Sequence, residues 1–252
     1  MTTPFRIITV ISVYWIVSWE AIFLNKFIYS HMDGGCSIPY FLTLIQFVSP
    51  VLLLRVVSLL NKHVLKTEWL PSFSFSPRMA LRLFPVSFFF CATVTLSNFC
   101  LKYVEVSFYQ ISRSLGIPII PIINYIAFGE RSSIQTILSC CVIVIGYIEG
   151  IEGELHFSRI GTLFGLAAST MGSLYTIFVH RYLKNAVCTH WELCYYNNLV
   201  GCLLIPIVGV ASGEYAVFVH NRDRISSSYL LWSALAGFVG LVVGLATQYQ
   251  IK

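Results

Sequence analysis

Residues 189–210 read THWELCYYNNLVGCLLIPIVGV, and the reading of this stretch decides the fold. Its second half is apolar throughout, and about 20 mainly apolar residues suffice for a helix to cross a bilayer. Yet Tyr195, Tyr196, Asn197 and Asn198 stand side by side within it, and Glu192 lies one turn earlier. Hydrogen-bonding groups that face hydrocarbon cost free energy. A membrane helix carrying them turns them toward a protein interior or a water-filled cavity. The stretch therefore predicts one helix among several.

The rest of the chain agrees. Of 252 residues, 57% are hydrophobic and 11% charged, and the mean hydropathy is +0.77. Ordinary soluble domains carry about 25% charged residues. The composition predicts an all-α membrane protein, a single membrane domain over 1–252, with eight spans. They fall at about 5–29, 38–61, 80–104, 106–128, 133–151, 160–182, 191–212 and 229–250. The third and fourth nearly touch at LKYVEV, residues 101–106, which predicts a tight hairpin.

Lysine and arginine in short loops set orientation. Arg6, Lys62, Lys66, Arg78, Arg82, Arg131, Arg181 and Lys184 gather on the side of the N-terminus. The other side holds fewer bases (Arg159, Arg222 and Arg224, with Lys26 and Lys102 at helix ends) and most of the acids. A cytosolic N-terminus is expected. The net charge of +5 reflects this bias and is no argument for nucleic acid. The first span, interrupted by Glu20 and ending in Asn25-Lys26, reads as a signal anchor and not as a cleaved leader.

Catalytic and metal chemistry find no foothold. There is no Cys-x-x-Cys, no His-Glu-x-x-His, no Gly-x-Ser-x-Gly and no glycine-rich phosphate loop. Six of the eight cysteines fall within spans, where a thiol behaves as a small apolar group. No catalytic residue, metal or cofactor is expected.

The polar residues inside the spans are the candidates for function. In the first span Tyr14, Ser18, Ala21 and Asn25 recur on one helix face, with Lys26 next. Lys26 has two readings: an anion contact, or a side chain snorkelling to the interface. In the fourth span Tyr109 and Arg113 lie four apart, and Ser112 and Ser114 flank the arginine. Gly116, Pro118 and Pro121 then disturb the helix, and broken helices line substrate sites in transporters. A guanidinium there suits phosphate oxygens, or a structural ion pair. In the seventh span each asparagine of the pair offers both a donor and an acceptor. Such a pair suits a nucleobase edge with tyrosines stacking on its face, or alternatively interhelical hydrogen bonds.

Weak internal echoes divide the chain into 5–151, a five-helix unit, and 160–252, a three-helix part of a second. An odd-numbered unit re-enters the membrane inverted. The glycine stripes Gly161, Gly165, Ala168, Gly172 and Gly237, Gly240, Gly244 are read first as helix packing.

FLNK at 23–26, LKYVEVSFYQISRSL at 101–115, YYNNL at 195–199 and QIK at 250–252 resemble nucleotide-sugar transporters of the drug/metabolite transporter superfamily. The resemblance runs from about residue 10 to 252. It implies ten helices in two inverted repeats, a Golgi location, and exchange of lumenal GMP for cytosolic GDP-fucose. It implies that Tyr195, Tyr196, Asn197, Asn198 and Leu199 contact guanine, where the family shows Phe-Tyr-Asn-Asn-Val. Tyr14, Arg113 and Ser114 map onto further family positions. The family's ninth and tenth helices, with a Gly-x-x-x-Lys element, have no counterpart, so an incomplete second repeat is expected. Membrane lipid and a homodimer are the other partners considered. The rival readings are a non-transporting form that binds a complete carrier, and a carrier for another nucleotide sugar.

Overall fold

The computed structural model describes residues 4–32, 39–65, 75–152, 158–211, 213–221 and 227–251. Among the described residues all regular structure is helical, in ten α-helices and two π-helical turns. They are α1 Pro4–Phe27, α2 Pro39–Leu60, α3 Pro77–Tyr103, α4 Val106–Ser114, α5 Gly116–Phe128, α6 Ile134–Glu152, α7 Arg159–Lys184, α8 His190–Ala211, α9 Glu214–Asn221 and α10 Ser227–Ile251. The π turns, Ile28–Met32 and Asn61–Leu65, extend α1 and α2.

Among the described residues eight segments are long and apolar enough to cross a membrane, and they match the eight expected spans. The hairpin at 101–106 is as tight as its sequence implies: α3 ends at Tyr103 and α4 starts at Val106. The fourth span comprises two helices, α4 and α5, parted at Leu115. Pro118 and Pro121 lie inside α5, so the break falls just before the prolines expected to cause it. The short α9 was not expected from hydropathy. Loop residues Lys66, Arg222 and Arg224, which entered the orientation argument, lie outside the described residues, as does Lys252 of the QIK motif.

Contacts divide the chain into two compact units, Met1–Cys91 with Val179–Lys252, and Ala92–Phe178. These units group helices by contact and do not coincide with the two sequence repeats. In the first unit α2 packs against α8 and α10, and α1 against α10. Gly201 of α8 sits over the Phe47 ring of α2, and Gly237 of α10 meets Ser49 and the Gln46 backbone of α2.

In the second unit α7 lies close to α3 and α4 because its glycine stripe has no side chains there. A Cβ at Gly161 would meet Val104, one at Gly165 would meet Ser112 and Cys100, and one at Gly172 would meet Thr93. Packing, the first reading of that stripe, holds. A cluster of Cys100, Val104 and Phe108, joined by Tyr109, Tyr147 and Phe164, forms the core.

Candidate functional site

Four consecutive helical residues advance about 100° each, so Tyr195 to Asn198 point in four directions around α8. A polar run of this kind is tolerable only in a helix enclosed on all sides. The α8 helix is the most buried of the eight spans. Tyr195, Tyr196, Asn197 and Asn198 are 2%, 2%, 0% and 4% exposed.

Each finds a different partner. The Arg55 guanidinium of α2 lies 4.9 Å from the centroid of the Tyr195 ring, a cation–π contact. The Tyr196 hydroxyl accepts from the Ser76 backbone N–H at 2.9 Å and donates to the Ser76 carbonyl at 3.3 Å, which ties α8 to the start of α3. Ser87 Oγ of α3 donates to Asn197 Oδ1 at 3.0 Å, and Cys91 Sγ donates to the Asn197 carbonyl at 3.6 Å. Asn198 Nδ2 donates to the Cys194 carbonyl at 2.7 Å.

Glu192 belongs to the helix start and not to this group. Its carboxylate accepts from the Thr189 backbone N–H at 2.9 Å and the Thr189 hydroxyl at 3.0 Å, while Thr189 Oγ1 accepts from the Glu192 N–H at 3.2 Å. This is a reciprocal capping box. Just before it, burial and secondarily the Glu192 carboxylate push the Cys188 thiol from 9.0 up to about 11, with Arg82 opposing. The thiolate is therefore scarce at neutral pH and grows as pH rises toward that value. Maleimide labelling of the Cys188 peptide at pH 7.5 should be about ten- to a hundredfold slower than that of an exposed thiol, and should accelerate up to at least pH 10. Peptide mass spectrometry reads this out, and a pH-independent rate would contradict it.

On α1, Asn25 Oδ1 accepts from Gln46 Nε2 of α2 at 2.7 Å. Tyr14 and Lys26 are half-buried on the same helix, and Glu20 is exposed. The first unit thus brings the seventh-span run together with Arg55, Ser87 and Cys91, and joins Asn25 to Gln46.

Tyr109, Arg113 and Ser114 belong to the second unit. Tyr109 packs against the core there, Arg113 is exposed, and Ser114 Oγ donates to the Ile111 carbonyl at 2.7 Å. Serines of α7 bond carbonyls on either side of the helix break, and that of Ser112 also accepts from the Leu115 N–H at 3.3 Å. Ser169 Oγ donates to the Ser112 carbonyl at 2.7 Å and Ser173 Oγ to the Gly116 carbonyl at 3.0 Å.

Sequence reasoning overlooked Arg55, Gln46 and Ser87. Arg55 and Gln46 carry a readable signal, a charge and an amide inside the apolar second span. Ser87 carries none, because a lone serine in a membrane helix ordinarily bonds its own helix.

The sequence matches the family described as Triose-phosphate Transporter family over residues 5–242. It is 32% identical to the protein named GDP-fucose transporter 1 of Dictyostelium discoideum over 247 residues, 98% of this chain and 66% of that one. It is 32% identical to GDP-fucose transporter 1 of Nematostella vectensis over 250 residues, 98% of this chain and 74% of that one. A Drosophila melanogaster protein named GDP-fucose transporter, Golgi, is 28% identical over 257 residues, 98% and 74% of the two chains. The chain thus spans from about two thirds to three quarters of the length of these relatives.

Proposed function

We propose that this chain, which belongs to the triose-phosphate transporter family, carries a nucleotide sugar across a membrane, with GDP-fucose as the substrate and GMP as the exchanged product. The observation that carries this reading is the buried Tyr-Tyr-Asn-Asn run of α8, in a chain aligned over 98% of its length with proteins named for GDP-fucose. Within that reading Asn197 and Asn198 bond the guanine edge and Tyr195 stacks on it, exchanging Arg55 for the base. Tyr14, Asn25 and Lys26, in the same unit, add further contacts to that substrate; in the second unit Tyr109, Arg113 and Ser114 are the candidate anion contacts. Segment 5–151 is one five-helix unit, and 160–252 holds three helices that repeat part of it in the inverted sense. The location is the Golgi membrane, with the N-terminus in the cytosol.

The test is exchange in proteoliposomes. Vesicles loaded with GMP should take up labelled GDP-fucose several-fold faster than empty vesicles, and faster than they take up a UDP-sugar. Equal uptake in loaded and empty vesicles removes the exchange, and equal rates for the two sugars remove the substrate.

A further inference from the structure

The first span, Ile11–His31, carries a single carboxylate, Glu20, one residue from its midpoint. A charge at that depth is expensive in hydrocarbon, and such groups ordinarily face a protein interior or a cation. Glu20 is exposed. At about 100° per residue it points away from Ser18 and Ile22, on the buried side of α1. The helix packed on α1, α10, carries no charged residue. Lys26, the nearest base on α1, projects about 120° away round the helix.

The face beside Glu20 is aromatic. Trp15, Trp19, Phe23, Phe27 and His31 recur every fourth residue, and all are exposed. Trp19 stacks on Phe23 at 5.7 Å between ring centroids, and Phe27 on His31 at 5.0 Å. A row at i, i+4 forms a ridge of the kind that packs into the groove of a second helix. Aromatic rings that meet lipid need no explanation, but a carboxylate at the same depth does.

We infer that this outer face of α1 docks a transmembrane helix of another protein, one that carries an arginine at mid-depth. Only a helix or a closed barrel satisfies its own backbone there. A guanidinium donates both bonds of its fork to the Glu20 carboxylate and lies flat on the Trp19 indole, which an ammonium does less well. The same unit already holds an arginine over a ring within the spans, Arg55 on Tyr195. A second copy of this chain fits less well. Of its arginines deep in the spans, Arg55 is engaged by Tyr195 and Arg113 has contacts of its own.

The experiment reconstitutes the full chain, carrying a donor dye, in vesicles with a leucine–alanine helix of about 20 residues that bears an acceptor dye and one central arginine. Energy transfer reads association. The arginine helix should bind about tenfold more tightly than the same helix with leucine at its centre, the weight of one charged hydrogen-bonded pair. Glu20→Gln should bring the two helices to parity, while Glu20→Asp should keep most of the preference. Glu20 is exposed, so glutamine there leaves the packing of α1 on α10 as it is. Trp19→Leu, which keeps the carboxylate, should lower the preference about threefold. Equal binding of the two helices by wild type overturns the inference, as does an arginine preference that survives Glu20→Gln. An unchanged preference in Trp19→Leu overturns the stacking on which the choice of arginine rests. Energy transfer between two labelled copies of the chain, abolished by Glu20→Gln and not displaced by the arginine helix, makes a second copy the occupant and overturns it also.

Discussion

Asn197→Leu together with Asn198→Leu should weaken GMP binding by about a hundredfold, corresponding to two hydrogen bonds of roughly 1–1.5 kcal/mol each. The fold should survive. Asn198 bonds a carbonyl of its own helix turn, and Cys91 bonds the Asn197 backbone, which leucine leaves in place. Ser87 can return its hydroxyl to its own helix, as Thr43 and Ser49 do. Leucine also enters the bilayer more readily than an amide. Thermal unfolding in detergent should therefore stay within a few degrees of wild type while equilibrium binding collapses. Full binding by the double variant would show that the polar run serves packing alone.

The second large effect concerns the framework that holds the run. Gly201→Ala should destabilise the protein by about 2–3 kcal/mol, the usual scale of overpacking. The added Cβ would stand 2.6–2.9 Å from three ring carbons of Phe47, itself 2% exposed and hemmed in by Phe90 at 6.0 Å between ring centroids. Gly237→Ala should cost a similar amount, because the new carbon meets Ser49 Oγ and, at 3.0 Å, the Cα and carbonyl oxygen of Gln46, and backbone atoms cannot swing aside. Gly240→Ala should have the opposite sign. Nothing lies within 4 Å of its Cβ position, and alanine stabilises an open helical site by about 0.5–1 kcal/mol over glycine. The midpoint of thermal unfolding compares all three. A Gly237→Ala variant as stable as wild type would mean that α10 does not lie so close to α2.

These glycines show where sequence reading stops. Gly237, Gly240 and Gly244 form one small-residue stripe on paper. The structure places Gly237 against α2 and leaves Gly240 open. Spacing reports which face a residue shares, but the crossing helix decides which positions on that face are filled. The break in the fourth span is similar. Gly116 and the prolines announce a disturbance, but Ser169 and Ser173, more than fifty residues later in the chain, bond the carbonyls beside it.

The sequence by itself determined the class, the eight spans, the tight turn after Tyr103 and the polar run of α8, because hydropathy, helix length and the cost of buried polar groups are local quantities. Tertiary structure alone decided that Tyr195 meets Arg55, that Tyr196 anchors the start of α3, and that Ser87 bonds Asn197. Those contacts join residues about 110 to 140 positions apart in the chain, and no periodicity within one helix encodes the side chain that a second helix brings to it.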